Sequence, residues 1–105
     1  MKNATGNVCK EIEVERRRQM GAEGWSTKHD DRHATGQLAM AAACYAAPSE
    51  ILEKRDYHNG TFFMDPWPWD AVSDKRGKHD RRRRLVIAAA LIVAEIERLD
   101  RLSHG

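Results

Sequence analysis

Three clusters of side chains in this chain carry groups suited to binding. The first is Trp25 followed by His29, Asp30, Asp31 and His33. An indole offers a stacking face and carboxylates accept hydrogen bonds from hydroxyls, while two imidazoles at i,i+4 spacing would share one face of a helix, where a metal could bind. No third ligand is placed by sequence. The same residues also read as a structural knot in which Asp30 or Asp31 caps a helix or pairs with arginine.

The second cluster is Pro66-Trp67-Pro68-Trp69-Asp70. Proline fixes the backbone, and paired indoles can stack on a base or a nicotinamide while the neighbouring acid takes hydroxyl hydrogen bonds. Alternatively both rings seal a thin core beneath a long loop, and one buried ring with one offered ring satisfies both readings.

The third is Arg81-Arg82-Arg83-Arg84, preceded by Lys75, Arg76 and Lys78. Cations at the start of a helix oppose its dipole, a local loss that a bound phosphate would relieve. Solvation and ion pairs with Asp74, Asp80 and the acidic first helix explain them equally well.

Two catalytic templates come near. His29-Asp30 and His79-Asp80 are His-Asp dipeptides, as metal phosphohydrolases use, although those enzymes need further His and Asp ligands on a larger helical bundle. Glu50-x-x-Glu53 and Glu97-x-x-Asp100 resemble the carboxylate pairs with which all-helical nucleotide pyrophosphohydrolases of the MazG type hold magnesium. There the two pairs lie on adjacent antiparallel helices, whereas here Glu53 is followed at once by a hairpin signal; ion pairing with Arg98 and Arg101 is the plainer role for Glu97 and Asp100. No GxSxG, phosphate-binding loop, Cys-His pair or dinucleotide fingerprint is present. The chain therefore reads as a binding module rather than an enzyme, with no catalytic set, metal or cofactor expected.

The elements that must position these groups are mainly helical. Val8, Cys9, Ile12 and Met20 join in one stripe of a helix over 7–20, ended by Gly21 and Gly24. Residues 25–34 read as a turn-rich loop. Thr35 or Gly36 opens a second helix whose face is Leu38, Ala41, Ala42 and Tyr45, closed by Pro48, and Ser49 caps a short turn or helix to Lys54. Asn59-Gly60 between Tyr57 and Phe63 signals a β-hairpin, and residues 64–79 form an irregular loop pinned by its rings. The longest helix runs over 79–102, with Leu85, Ala89, Ile92, Ile96 and Leu99 spaced 4, 3, 4 and 3 apart. Val86, Ile87, Leu91 and Val93 add apolar character on its other faces, so it must be covered on several sides, by the first two helices or by another copy of itself.

Bulk composition sets limits. The 105 residues form one helical domain, with 1–6 flexible, and 18 Lys and Arg against 16 Asp and Glu leave a net charge of +2, so nucleic acid is not an expected partner. Cys9 and Cys44 have no CxxC spacing and no signal-peptide stretch ahead of them, which predicts reduced thiols in the cytoplasm. The apolar run Leu85–Ala94 is half of the roughly 20 residues a membrane span requires.

The segments ERRRQMGAEGWSTKHDD, GQLAMAAACYA, PWPWD and RRRRLVIAAALIVAEIERLDR, taken in order over roughly residues 11 to 102, resemble a group of short proteins encoded by bacteriophages and prophages. That resemblance implies a phage accessory protein acting in the cytoplasm of an infected bacterium. Gly24-Trp25, the pair Asp30-Asp31, and Asp80-Arg81 leading into a helix are faintly similar to the ryanodine-receptor repeat domain, whose His-Pro and Pro-Tyr stretch is absent here. The small bacterial and phage relatives of that domain imply binding of nucleotide-derived signals.

The expectation is thus a mainly α domain with a long C-terminal core helix and one short hairpin, oligomeric through that helix. Its function would be non-catalytic capture of a small nucleotide-like ligand, with an immune signal sequestered during infection as one form of it. Trp25, Trp67 and Trp69 would wall the pocket with His29 beside them, Asp30, Asp31 and Asp70 would take ribose hydroxyls, and Arg81, Arg82 and Arg83 would meet phosphate. The alternatives are the magnesium-dependent pyrophosphohydrolase and an inhibitor of a host protein.

Overall fold

The computed structural model describes residues 3–48, 55–56, 61–62 and 65–104. Helix α1 spans Ala4–Gly21, starting earlier than its apolar spacing suggests, because the side chain of Asn3 accepts the Gly6 N–H at 2.9 Å and caps it. After the helix the Trp25 N–H donates to the Gln19 carbonyl at 2.9 Å, and Gly24, at φ +71°, makes the left-handed turn this needs.

Residues 25–34 are more ordered than a loop. Ser26 Oγ accepts the His29 N–H at 3.2 Å and caps a short helix, α2, over Thr27–Asp31. Gly36, at φ +86°, then leads into α3, Gln37–Ala46. The short element placed at 49–54 and the Asn59-Gly60 turn lie outside the described residues. Near that turn, β1 (Arg55–Asp56) and β2 (Thr61–Phe62) pair antiparallel, Arg55 with Phe62 and Asp56 with Thr61; no longer hairpin is seen among the described residues. Two 3-10 turns, Ala71–Ser73 and Arg76–Lys78, precede the longest helix, α4, Arg81–His104. Asp80 accepts the Arg83 N–H at 2.8 Å where α4 begins.

The core is the contact of α3 with α4. Leu38, Ala41, Ala42 and Tyr45 meet Ile87, Ala88, Leu91 and Ala94, and the small residues on both sides let the helices approach closely. Trp25, Trp67 and Trp69 pack against this cluster from the loops.

Two expected faces are turned. On α4 the buried stripe runs through Ile87, Leu91 and Ala94, whereas Leu85, Ile92, Ile96 and Leu99 are 43–52 % exposed. On α1, Val8 and Met20 are exposed, and the buried residues are Glu15, Arg16 and Gln19. On α4 the small residues of α3 select the stripe that packs closely, and on α1 the reason is that α4 brings Arg82 and Arg83 to it, so the two helices join through ions. Arg82 holds Glu11 at 2.7 and 2.8 Å, Arg83 holds Glu15, and Arg16 reaches Glu97 at 2.9 Å. Among the described residues no helix is long and apolar enough to cross a membrane.

Candidate functional site

The end of α1, helix α2 and the 65–79 segment meet over the core, and the rings they carry close a circuit. Trp25 lies parallel to His29, with centroids 6.1 Å apart and planes 5° apart. His29 meets His33 edge-on at 4.8 Å, an arrangement their i,i+4 spacing allows across α2 and the turn that follows it. His33 lies 5.0 Å from Trp69, and Trp69 returns to Trp25 at 6.3 Å. These four rings, with Asp70 and Ser73, line a cavity of about 190 Å³. Burial pushes the His33 imidazole below its ordinary pKa, helped by its neighbour His29, so it is neutral at pH 7.

A second cavity, of about 280 Å³, shares Trp25 and Ser73 with the first. Its lining is of a different kind: Arg18, Lys75, Lys78 and His79, with Glu23, Tyr45 and Ile87. Arg18 is held bidentate by Glu15 at 2.7 and 2.9 Å and also bonds Glu23 at 2.9 Å. Lys75 lies 3.4 Å from Glu23, whose carboxyl is held below the usual carboxylate range chiefly by its hydrogen bond from Arg18. Three permanent cations, Arg18, Lys75 and Lys78, face two carboxylates, Glu15 and Glu23, an excess of one positive charge. Each cavity is smaller than the roughly 300–1,000 Å³ of ordinary small-molecule sites, and the two share the Trp25 and Ser73 walls.

Trp25, His29, Trp69 and Asp70 are therefore brought together around one cavity. Trp67 stands behind it: its indole N–H donates to the Asp70 carbonyl at 3.1 Å, its ring packs edge-on between Tyr45 and Trp69, and the Arg76 guanidinium lies 4.9 Å over its face. Asp30 does not reach the cavity. It is fully buried, gripped by Arg16 at 2.7 Å, and ties α1 to α2. Asp31 pairs with Arg101 of α4 at 2.8 Å. Both aspartates thus take the structural role, pairing with arginine.

Arg81, Arg82 and Arg83 also lie away from the cleft, the latter two in their ion pairs with α1 and Arg81 exposed at the helix start. The cations of the cleft are those of the preceding turns and of α1. Lys75 and Lys78 belonged to the same cationic run in the sequence, but Arg18 could be found only from the tertiary approach of α1.

The imidazoles do not form a metal centre: among the described residues no group of three or more His, Cys, Asp or Glu could hold an ion. Of the two carboxylate pairs, Glu50 and Glu53 lie outside the described residues, and Glu97 is engaged by Arg16. No protein-family model, curated protein or solved structure matches the chain.

Proposed function

We propose that the cleft captures a small nucleotide-derived ligand and holds it unchanged. The observation that carries this is the closed circuit of rings around one cavity, next to a second cavity that shares Trp25 and Ser73 with it and is lined by Arg18, Lys75 and Lys78. A flat aromatic base stacks on one of Trp25 and Trp69, whose planes are tilted 53° to each other, Asp70 at the rim accepts a ribose hydroxyl, and Lys75 and Lys78 meet phosphate oxygens.

Beside the cavity, Asp30 Oδ1 stands 3.6 Å from His29 Nδ1 while the other Asp30 oxygen is taken by Arg16, so Asp30 is committed to the helix contact rather than to a ligand. In the phage setting implied by the sequence resemblance, such capture withdraws a bacterial immune signal from circulation.

Tryptophan fluorescence tests this directly, since Trp25 and Trp69 wall the cavity. Titration with adenosine diphosphate is expected to quench emission saturably, and Trp25→Ala or the double variant Lys75→Ala/Lys78→Ala should each weaken binding about tenfold or more, roughly 1.4 kcal/mol per decade. A flat titration with adenine and guanine mono-, di- and cyclic nucleotides at millimolar concentration would overturn the proposal.

A further inference from the structure

Two buried polar atoms beside the aromatic cavity have no hydrogen-bond partner and stand 3.6 Å apart: Nδ1 of His29 and Oδ1 of Asp30. The second Asp30 oxygen is anchored by Arg16 at 2.7 Å, which fixes the carboxylate in place. A carboxylate oxygen only accepts, and so does a ring nitrogen without its proton. Were Nδ1 bare, two lone pairs would share a buried space with no donor between them. The stable arrangement puts the imidazole proton on Nδ1, where it meets the carboxylate charge at a distance longer than a hydrogen bond. The other nitrogen, Nε2, then carries a lone pair. It makes no hydrogen bond among the described residues and stays accessible, on a side chain that is 34 % exposed.

We propose that Asp30 acts on the cavity through His29, holding the proton on Nδ1 so that Nε2 offers its lone pair to the ligand, and that the cavity thereby selects a base carrying an amino group. Asp30 is the positioning residue and His29 makes the contact; the assignment rests on the capture reading above. His29 lines the cavity with Trp25, and the two ring planes differ by 5°. The lone pair therefore runs parallel to the plane of a base stacked on that indole and meets its edge rather than its face. An exocyclic amino group on that edge donates to Nε2, whereas a carbonyl in its place would set acceptor against acceptor.

Long-range proton–nitrogen NMR of the full chain, with the His29 signals identified by their loss in His29→Phe, reads the tautomer without any nucleotide. A protonated Nδ1 and a bare Nε2 are expected, and the opposite tautomer overturns the proposal. Asp30→Asn, whose amide can donate to Nδ1, should move the proton to Nε2; a proton that stays on Nδ1 overturns the role of Asp30. The wild-type spectrum decides even where that variant does not fold. Tryptophan quenching then compares adenosine diphosphate with purine riboside diphosphate, which lacks only the amino group. The first is expected to bind about tenfold more tightly, and His29→Phe, which keeps a stacking ring but has no lone pair, should erase the difference. Equal binding of the two by the wild type, or a difference that survives His29→Phe, overturns the assignment alone. Binding of neither overturns the capture reading with it.

Discussion

Asp30 and Asp31 are neighbours of the same type with opposite burdens. Asp30 is fully buried and faces a guanidinium that is itself buried, whereas Asp31 meets Arg101 at the surface. Removing one partner of a buried pair leaves the other charge uncompensated, so Asp30→Asn should cost about 3–5 kcal/mol. Asp31→Asn should cost less than about 1 kcal/mol, because exposed pairs are screened. Urea unfolding of the two variants checks this, and equal losses would contradict the placement of Asp30. Short-range chemistry was legible at this scale: rings and acids at suitable spacing marked Trp25, His29, Trp69 and Asp70. Which arginine each aspartate would meet, and which pair would be buried, was not legible, since Arg16 and Arg101 come from other helices.

His33 gives a pH dependence with a definite sign. Its folded pKa lies below the ordinary 6.5, so the unfolded chain binds the proton more readily. Above 6.5 neither state is protonated there and stability is unaffected by this group; as pH falls below 6.5, stability is lost. Melting curves from pH 7.5 to 5.5 should fall more steeply for the wild type than for His33→Gln. Parallel slopes would contradict the burial of this ring.

At the scale of elements, helix α4 shows what periodicity can and cannot convey. Both of its stripes have helical spacing, and the one with the longer side chains is the exposed one; only the small residues of α3 explain why Ile87, Leu91 and Ala94 were chosen for the core. Leu91 is fully buried, so Leu91→Ala should cost about 2–5 kcal/mol. Val14, on the exposed side of α1, should tolerate alanine within about 0.5 kcal/mol. Chemical unfolding of both distinguishes them, and a mild Leu91→Ala would contradict the assignment of the core face. Helix α1 was readable as a helix but not in its orientation. Hydropathy cannot anticipate a buried Glu15, which is stable there because the guanidinium groups of Arg18 and Arg83 and the Gln19 amide satisfy it. Those bonds outweigh burial and hold its carboxyl below the usual range.

Over the whole molecule, the cleft draws on α1, α2, α3 and the turns before α4, residues separated by more than fifty positions, as Glu23 and Lys75 are. Its aromatic half could be read in the sequence because its rings cluster locally. Its cationic half could not: the arginine run is the louder signal, yet α1 takes Arg82 and Arg83 from it, and the quieter Lys75 and Lys78 face the cavity with Arg18. The central claim, capture without turnover, is met most directly by native mass spectrometry of the full chain after incubation with adenosine diphosphate and magnesium. A retained, unmodified nucleotide mass, lost in Trp25→Ala, is the predicted result; release of inorganic phosphate from the nucleotide, or no adduct at all, would contradict it.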